Sequence, residues 1–357
     1  MEWVGQHPPA VLAAWSWITQ NWAALAITAT CLSLLAFVVG FLGKYVRICL
    51  NIFIDTPPPL SMGPRDFPVI QGEQTRFRGF DGTSLRGMWV RPKNPRAVRG
   101  TIVFCHEFGS DMFSFARYTR PLIEAGFNVF TFDFRAHGES SRPRKYRPLQ
   151  WPSDKELEDV LGACAYVEDL LESAGSSPRI GVFSISRGAG AALLAASSDH
   201  NIAAVACDGA FSTRETLVTL MKRWAYIFAK VKLVYEYHPD AYWRFLLGCM
   251  MWFAERKLGR RFPSVSKALR NMVSRPILFI HGRRDSYIRP EQAHLLHRIT
   301  DGPKYLWIVD GAKHNQSVVI EPAEYAARTV AFFRRHLAGE ALPDAEITSP
   351  RAAPGVA

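Results

Sequence analysis

The sequence predicts an α/β architecture: a mostly parallel, doubly wound sheet carrying a helical cap insertion, preceded by one N-terminal transmembrane helix. Three observations predict it. Short β-branched runs alternate with helical patterns between residues 101 and 337; an uncharged apolar run spans Trp22 to Gly43; and Ser184-Ile185-Ser186-Arg187-Gly188 sits between an apolar run and an alanine-rich one. Parallel strands joined by crossover helices place their sites at the carboxyl ends of the strands.

Residues 1–21 form a lead-in without Lys or Arg. The run 22–43 spans about 33 Å as a helix, enough to cross a bilayer. A cleaved signal peptide is the rival reading, but it calls for a basic start, so a retained anchor is expected. Lys44 and Arg47 follow at once, and the positive-inside rule then puts the rest of the chain in the cytoplasm. Trp3, Trp15, Trp17 and Trp22 suit an interfacial belt on the far side, or in part a short amphipathic lead-in. Pro57-Pro58-Pro59 and Pro64 mark residues 44–69 as a stiff linker.

The main domain is expected over 70–338. Gln74 to Phe80 and Leu85 to Arg91 flank the turn Asp81-Gly82 and read as an antiparallel hairpin. Strands follow near 101–105, 127–133, 179–183, 203–207, 276–280 and 304–309. Helices fall between them at about 113–125, 155–174, 187–198, 289–299 and 322–337. Residues 212–274 make a long insertion between two strands, and 339–357, rich in Ala and Pro, read as a disordered tail.

Ser186 lies in a tight strand-to-helix turn of the kind that exposes a nucleophile, which requires small residues two positions to either side; Ser184 and Gly188 supply them. A serine hydroxyl needs a histidine base and an orienting carboxylate. Asp285 follows the strand Pro276–Ile280, and His314 follows the strand Tyr305–Val309. Taken singly these are a helix-capping serine, a loop carboxylate and a surface histidine; their joint order, Ser, Asp, His, is the order of the α/β-hydrolase scaffold. His106 and His137 read as structural. His294 and His297 are spaced as a metal pair but have no third ligand, so no metal or other cofactor is expected.

With these residues the chain resembles the α/β-hydrolase superfamily, in its serine aminopeptidase-like and monoglyceride lipase-like branch, over roughly residues 70 to 338. The resemblance rests on four blocks: Ile102-Val103-Phe104-Cys105-His106-Glu107-Phe108-Gly109, Phe132-Asp133-Phe134-Arg135-Ala136-His137-Gly138-Glu139-Ser140, the Ser186 turn, and the Asp285 and His314 loops. It implies catalysis by Ser186, His314 and Asp285, with an oxyanion hole made by the backbone N–H groups of Phe108 and Arg187. Two positions depart from the pattern. Glu107 stands where glycine is usual, and Arg187 replaces a small or apolar residue; its guanidinium is expected near the pocket mouth.

The charge is uneven. The chain carries 43 Lys and Arg against 32 Asp and Glu, and residues 212–274 alone hold twelve against four. Aromatic residues such as Trp224, Tyr242, Trp243, Phe245, Trp252 and Phe253 interleave with them. No recognition motif supports nucleic acid as the partner. A cap that forms an acyl pocket and rests on anionic lipid headgroups fits this pattern; a solvated basic face is the bland alternative. Six scattered cysteines read as free thiols. The resemblance and the anchor together imply hydrolysis of an amphipathic carboxylic ester, such as a lysophospholipid or monoacylglycerol. Thioester or peptide cleavage by the same residues stays open, as does a catalytically silent membrane-tethered scaffold.

Overall fold

Every strand expected from the alternation is present in the computed structural model, which describes residues 8–56, 70–94, 98–228, 236 and 238–349. They are β1 Glu73–Arg78, β2 Ser84–Val90, β3 Thr101–Cys105, β4 Asn128–Phe132, β5 Ile180–Ile185, β6 Ile202–Asp208, β7 Ile277–Gly282 and β8 Lys304–Val309. They join in one sheet in the order β1-β2-β4-β3-β5-β6-β7-β8. β1 and β2 pair antiparallel, with Arg76 opposite Arg86, and β2 pairs antiparallel with β4; every other neighbour is parallel. β3 to β5 are buried along their whole length because helices cover both faces, which is why they read as continuous apolar runs.

One face carries α3 Asp154–Ser173, α4 Arg187–Ala196, α7 Val265–Asn271 and α8 Glu291–Ile299; the other carries α2 Phe115–Glu124, α9 Ser317–Ile320, α10 Pro322–His336 and α11 Ala345–Thr348. α3 begins with a capping box: Ser153 accepts from the following backbone, and Glu156 returns a carboxylate to the Ser153 N–H at 2.8 Å. Buried Arg135 donates to Asp159 on α3 and to Asp81 in the β1–β2 turn, so the block around His137 ties the hairpin to the helix layer.

The insertion supplies α5 Thr213–Phe228 and α6 Asp240–Leu258, and α6 stops where Gly259 turns left-handed at φ 62°. Lys230, Lys232, Tyr235 and Tyr237, counted in the basic and aromatic pattern, lie outside the described residues, as does the side chain of Phe228. α7 belongs to the main core rather than to the cap, since Val265 and Leu269 pack with α4. The start of the expected disordered tail is ordered too: Ile347 is buried and its carbonyl accepts from Arg328 at 2.9 Å. Residues 350–357 lie outside the described residues.

The N-terminal helix is longer than the uncharged run. α1 spans Pro9–Asp55; its most apolar 18-residue window has mean hydropathy 2.4 with none of it buried, so it is long and apolar enough to cross a membrane. Residues 44–55, expected as linker, continue the helix. Val46, Cys49, Phe53 and Ile54 enter one apolar cluster with Trp151, Phe211, Leu217, Met221, Trp243 and Met250. Phe53 stacks on Trp151 at 5.8 Å between ring centroids and meets Phe262 edge-on at 5.1 Å. The apolar positions 46, 49, 50 and 53 have helical spacing. Trp3 and Pro57 to Pro64 lie outside the described residues, while four of the six free cysteines are buried.

Candidate active site

The turn after β5 brings Ser186 to the carboxyl edge of the sheet. Its φ is 52°, in the left-handed region that non-glycine residues avoid, and its N–H is tied to the Asp208 carbonyl at 2.8 Å. A Cβ on Gly188 would lie 2.5 Å from the Cys105 carbonyl and 2.6 Å from that of His106, so only glycine lets α4 start this close to β3. Ser184 is buried, with Oγ donating to the Ala206 carbonyl at 3.1 Å.

Asp285 leaves β7 and His314 leaves β8, and the structure brings both to Ser186. Ser186 Oγ lies 2.7 Å from His314 Nε2, and His314 Nδ1 lies 2.6 Å from Asp285 Oδ2. A carboxylate can only accept, so Nδ1 carries the proton and Nε2 is left to accept from the serine. The second carboxylate oxygen is fixed by the N–H groups of Tyr287 at 2.9 Å and Ile288 at 2.8 Å. Burial works to raise the Asp285 carboxyl, yet its hydrogen bonds from His281 and His314 prevail and hold it well below the usual carboxylate range. Tyr287 meets the His314 ring edge-on at 5.4 Å.

Among the described residues, neither the Phe108 nor the Arg187 N–H donates to another protein atom. His106 donates through Nδ1 to the Glu107 carbonyl at 2.7 Å and accepts through Nε2 from the Phe134 N–H at 3.1 Å. The Glu107 carbonyl shares a rigid peptide plane with the Phe108 N–H, so His106 also sets the direction of that donor. Burial, reinforced by His137 and Arg187, keeps His106 well below the usual histidine range, and His137 is pushed down to about 3 by burial and then by Arg187. Glu107 is half-buried and receives the Ser114 hydroxyl at 3.3 Å; burial raises its carboxyl.

The Arg187 side chain does not reach a pocket mouth. It is fully buried, donates to Glu156 and to the Leu149 carbonyl at 3.2 Å each, and lies over the rings of Phe108 and Phe134. With no water around it the guanidinium requires a counter-charge, which Glu156 supplies. Burial works to raise Glu156, but the charges of Arg187 and Arg260, then hydrogen bonds from Ser153 and Tyr146, bring it down.

Three residues of the site escaped the sequence reading. Glu156 is visible in sequence only as the last residue of Ser153-x-x-Glu156. His281, four residues before Asp285, donates through Nε2 to the Ile288 carbonyl at 2.8 Å and lies 3.3 Å from the Asp285 carboxylate. Asp208 ends β6 and receives the hydroxyls of Ser317 at 3.3 Å and Tyr325 at 3.2 Å; burial pushes it up to about 6. No group of three or more His, Cys, Asp or Glu is placed to hold a metal among the described residues, and His294 and His297 lie on α8.

Comparison with known proteins adds relatives. The uncharacterized protein YqkD of Bacillus subtilis is 27% identical over 239 residues, covering 66% of this chain and 70% of that one. The uncharacterized protein YfhR of Escherichia coli K12 is 24% identical over 284 residues, covering 78% and 84%. Among solved structures, the Pyrococcus furiosus esterase Pf2001 superposes with a TM-score of 0.54 at 24% identity, covering 79% of this chain and 97% of that one. The Pyrococcus horikoshii acylaminoacyl peptidase also reaches 0.54, at 18% identity, over 78% of this chain and 43% of its own. At this identity these two structures share the fold. The sequence model of the alpha/beta hydrolase family matches residues 102–328, from β3 into α10, and the chain therefore belongs to the alpha/beta hydrolase family.

Proposed function

We propose that the protein is a membrane-anchored serine hydrolase that cleaves carboxylic esters of amphipathic lipids, of the lysophospholipid or monoacylglycerol class. The observation that carries this is the unbroken hydrogen-bonded line from Ser186 Oγ through His314 to Asp285, at 2.7 and 2.6 Å. In this reading His314 takes the serine proton as Oγ attacks the ester carbonyl. Asp285 keeps the imidazole in place and stabilises its charged form. The N–H groups of Phe108 and Arg187 hold the developing oxyanion, each worth about 3–4 kcal/mol in comparable sites. His314 then returns the proton to the leaving alcohol and activates the water that hydrolyses the acyl-enzyme.

The lipid assignment is supported by α1, by the aromatic cap and by the basic insertion. Residues 22–43 serve as the span and 1–21 as its lead-in; Lys44 and Arg47 favour a cytoplasmic catalytic domain. The test uses full-length protein in vesicles, a fluorophosphonate probe and esters of increasing chain length, with Ser186→Ala alongside. Labelling and hydrolysis should both vanish in Ser186→Ala while its melting curve stays that of the wild type. Hydrolysis that survives the substitution would refute the assignment. A thioester and a peptide series in the same assay report whether the ester is preferred.

A further inference from the structure

Asp208 is a fully buried carboxylate that the proposed chemistry does not use. It ends β6 beside the turn that carries Ser186, with Ile185 and Ile280 as its neighbours across the sheet. No Lys or Arg pairs with it among the described residues. Both of its oxygens accept from hydroxyls, Oδ1 from Ser317 at 3.3 Å and Oδ2 from Tyr325 at 3.2 Å. A buried charge held only by neutral donors is costlier than a neutral acceptor in the same place, so the carboxylate calls for a reason beyond packing.

Its contacts reach both partners of the proton transfer. The main-chain carbonyl of Asp208 accepts the Ser186 N–H at 2.8 Å and so fixes the strained turn. The carboxylate holds Ser317, three residues past His314, at the head of α9, a four-residue helix with no side-chain cap of its own. Tyr325 ties the same carboxylate to α10. Gly209 completes the contact: it is left-handed at φ 69°, and a Cβ there would lie 3.1 Å from His314 Cε1. The end of β6 thus grips the nucleophile's turn and backs directly onto the base.

The groups that face Asp208 are Ser317 on α9, Tyr325 on α10, Tyr118 on α2, His281 on β7 and His314 after β8, with Cys207 next to it in β6. Burial pushes the Asp208 carboxyl up to about 6, although the charges of His281 and His314 and then the two hydroxyls pull it down.

We propose that Asp208 is a positioning residue for hydrolysis: its ionised carboxylate holds the His314 loop against the Ser186 turn, which its own carbonyl fixes. This rests on the reading of the protein as a serine hydrolase and adds a residue outside the triad that sets the triad's geometry.

The test assays full-length wild type, Asp208→Asn, Tyr325→Phe and Ser186→Ala in vesicles with a short water-soluble ester. Asp208→Asn keeps the backbone and the shape but turns one acceptor into a donor that faces a hydroxyl. Displacing a catalytic group from a distance costs about a hundredfold, so kcat should fall on that order with KM nearly unchanged. The pH dependence separates positioning from packing. Below about 6 the wild-type side chain is protonated and neutral, as Asn is, so the ratio of wild-type to Asp208→Asn kcat should shrink as pH falls through that value. The ratio removes titrations common to both proteins. An unchanged kcat, or a reduced kcat whose ratio does not move with pH, would overturn the proposal. Should Asp208→Asn fail to fold, Tyr325→Phe removes one donor, leaves the carboxylate and should lower kcat without raising KM; a wild-type kcat there would overturn the proposal instead. A wild type without Ser186-dependent hydrolysis would reject the hydrolase reading, and this proposal with it, an outcome that no defect confined to the Asp208 variant can imitate.

Discussion

At Arg187 the chain places a full charge at the start of the helix that follows Ser186, where nothing is exposed to water. Glu156 is its counter-charge, and because Glu156 also caps α3, one carboxylate fixes both the start of that helix and the residue whose N–H is proposed to hold the oxyanion. Glu156→Gln keeps the capping shape and removes the charge, leaving a buried cation unpaired at a cost of about 3–5 kcal/mol. Its melting temperature should fall well below that of the wild type, with kcat falling and KM nearly unchanged. Adding Arg187→Met, which retains the N–H, should restore most of the stability. The pH dependence has a definite sign. The folded pKa of Glu156 lies below its unfolded value, so the pair stabilises fully above about pH 5 and its contribution is lost as pH falls through the folded value. Melting curves of wild type and Glu156→Gln should therefore converge in acid. That Ser186, Asp285 and His314 meet is legible because each stands just after a strand and their order along the chain matches a known scaffold. Glu156 and His281 were not, because their roles arise from contacts between elements that spacing along the chain does not encode.

The elements show the same division. The strands and crossover helices of the sheet could be read because their apolar periods are long and bounded by Gly, Pro and polar turns. The far end of α1 was missed although Val46, Cys49, Leu50 and Phe53 are spaced as a helix face, because charges at 44 and 47 followed by prolines resemble a linker. α11 was missed for a different reason. Four residues carry no period, and it is held by Arg328 and by Tyr305, whose hydroxyl donates to Asp344 at 2.6 Å. Docking of α1 makes it part of the cap's core. Phe53→Ala removes a side chain that is 1% exposed and packed against Trp151 and Phe262, and large-to-small changes of this kind cost about 3–5 kcal/mol. Limited proteolysis should then cut α5 and α6 faster while the sheet stays resistant. A chain starting at residue 57 should behave similarly, whereas one starting at residue 44 should keep the cap intact; equal protease resistance in all of them would show that α1 is only a tether.

For the molecule as a whole, a net eight of the eleven formal positive charges fall within residues 212–274, where Tyr226, Ile227, Phe245, Trp252 and Phe253 are exposed and Arg256 lies 4.1 Å from the Trp252 ring centroid. A soluble domain gains nothing from exposing large aromatic side chains beside arginines, whereas an interfacial surface uses the rings in the headgroup layer and the cations against lipid phosphates. α1 docks on α6, so an anchor crossing the bilayer would hold this face at one height above it. Attraction between exposed charges is screened beyond about 10 Å at 0.1 M salt, so hydrolysis of an ester embedded in anionic vesicles should slow as salt rises. Hydrolysis of a short water-soluble ester should not change, because the residues around Ser186 are buried. Arg244→Glu with Arg256→Glu should reproduce the high-salt rate at low salt on anionic vesicles and leave the soluble ester untouched. Equal loss on both substrates would place those arginines in the catalytic fold; no loss on either would mean that the basic face is merely solvated.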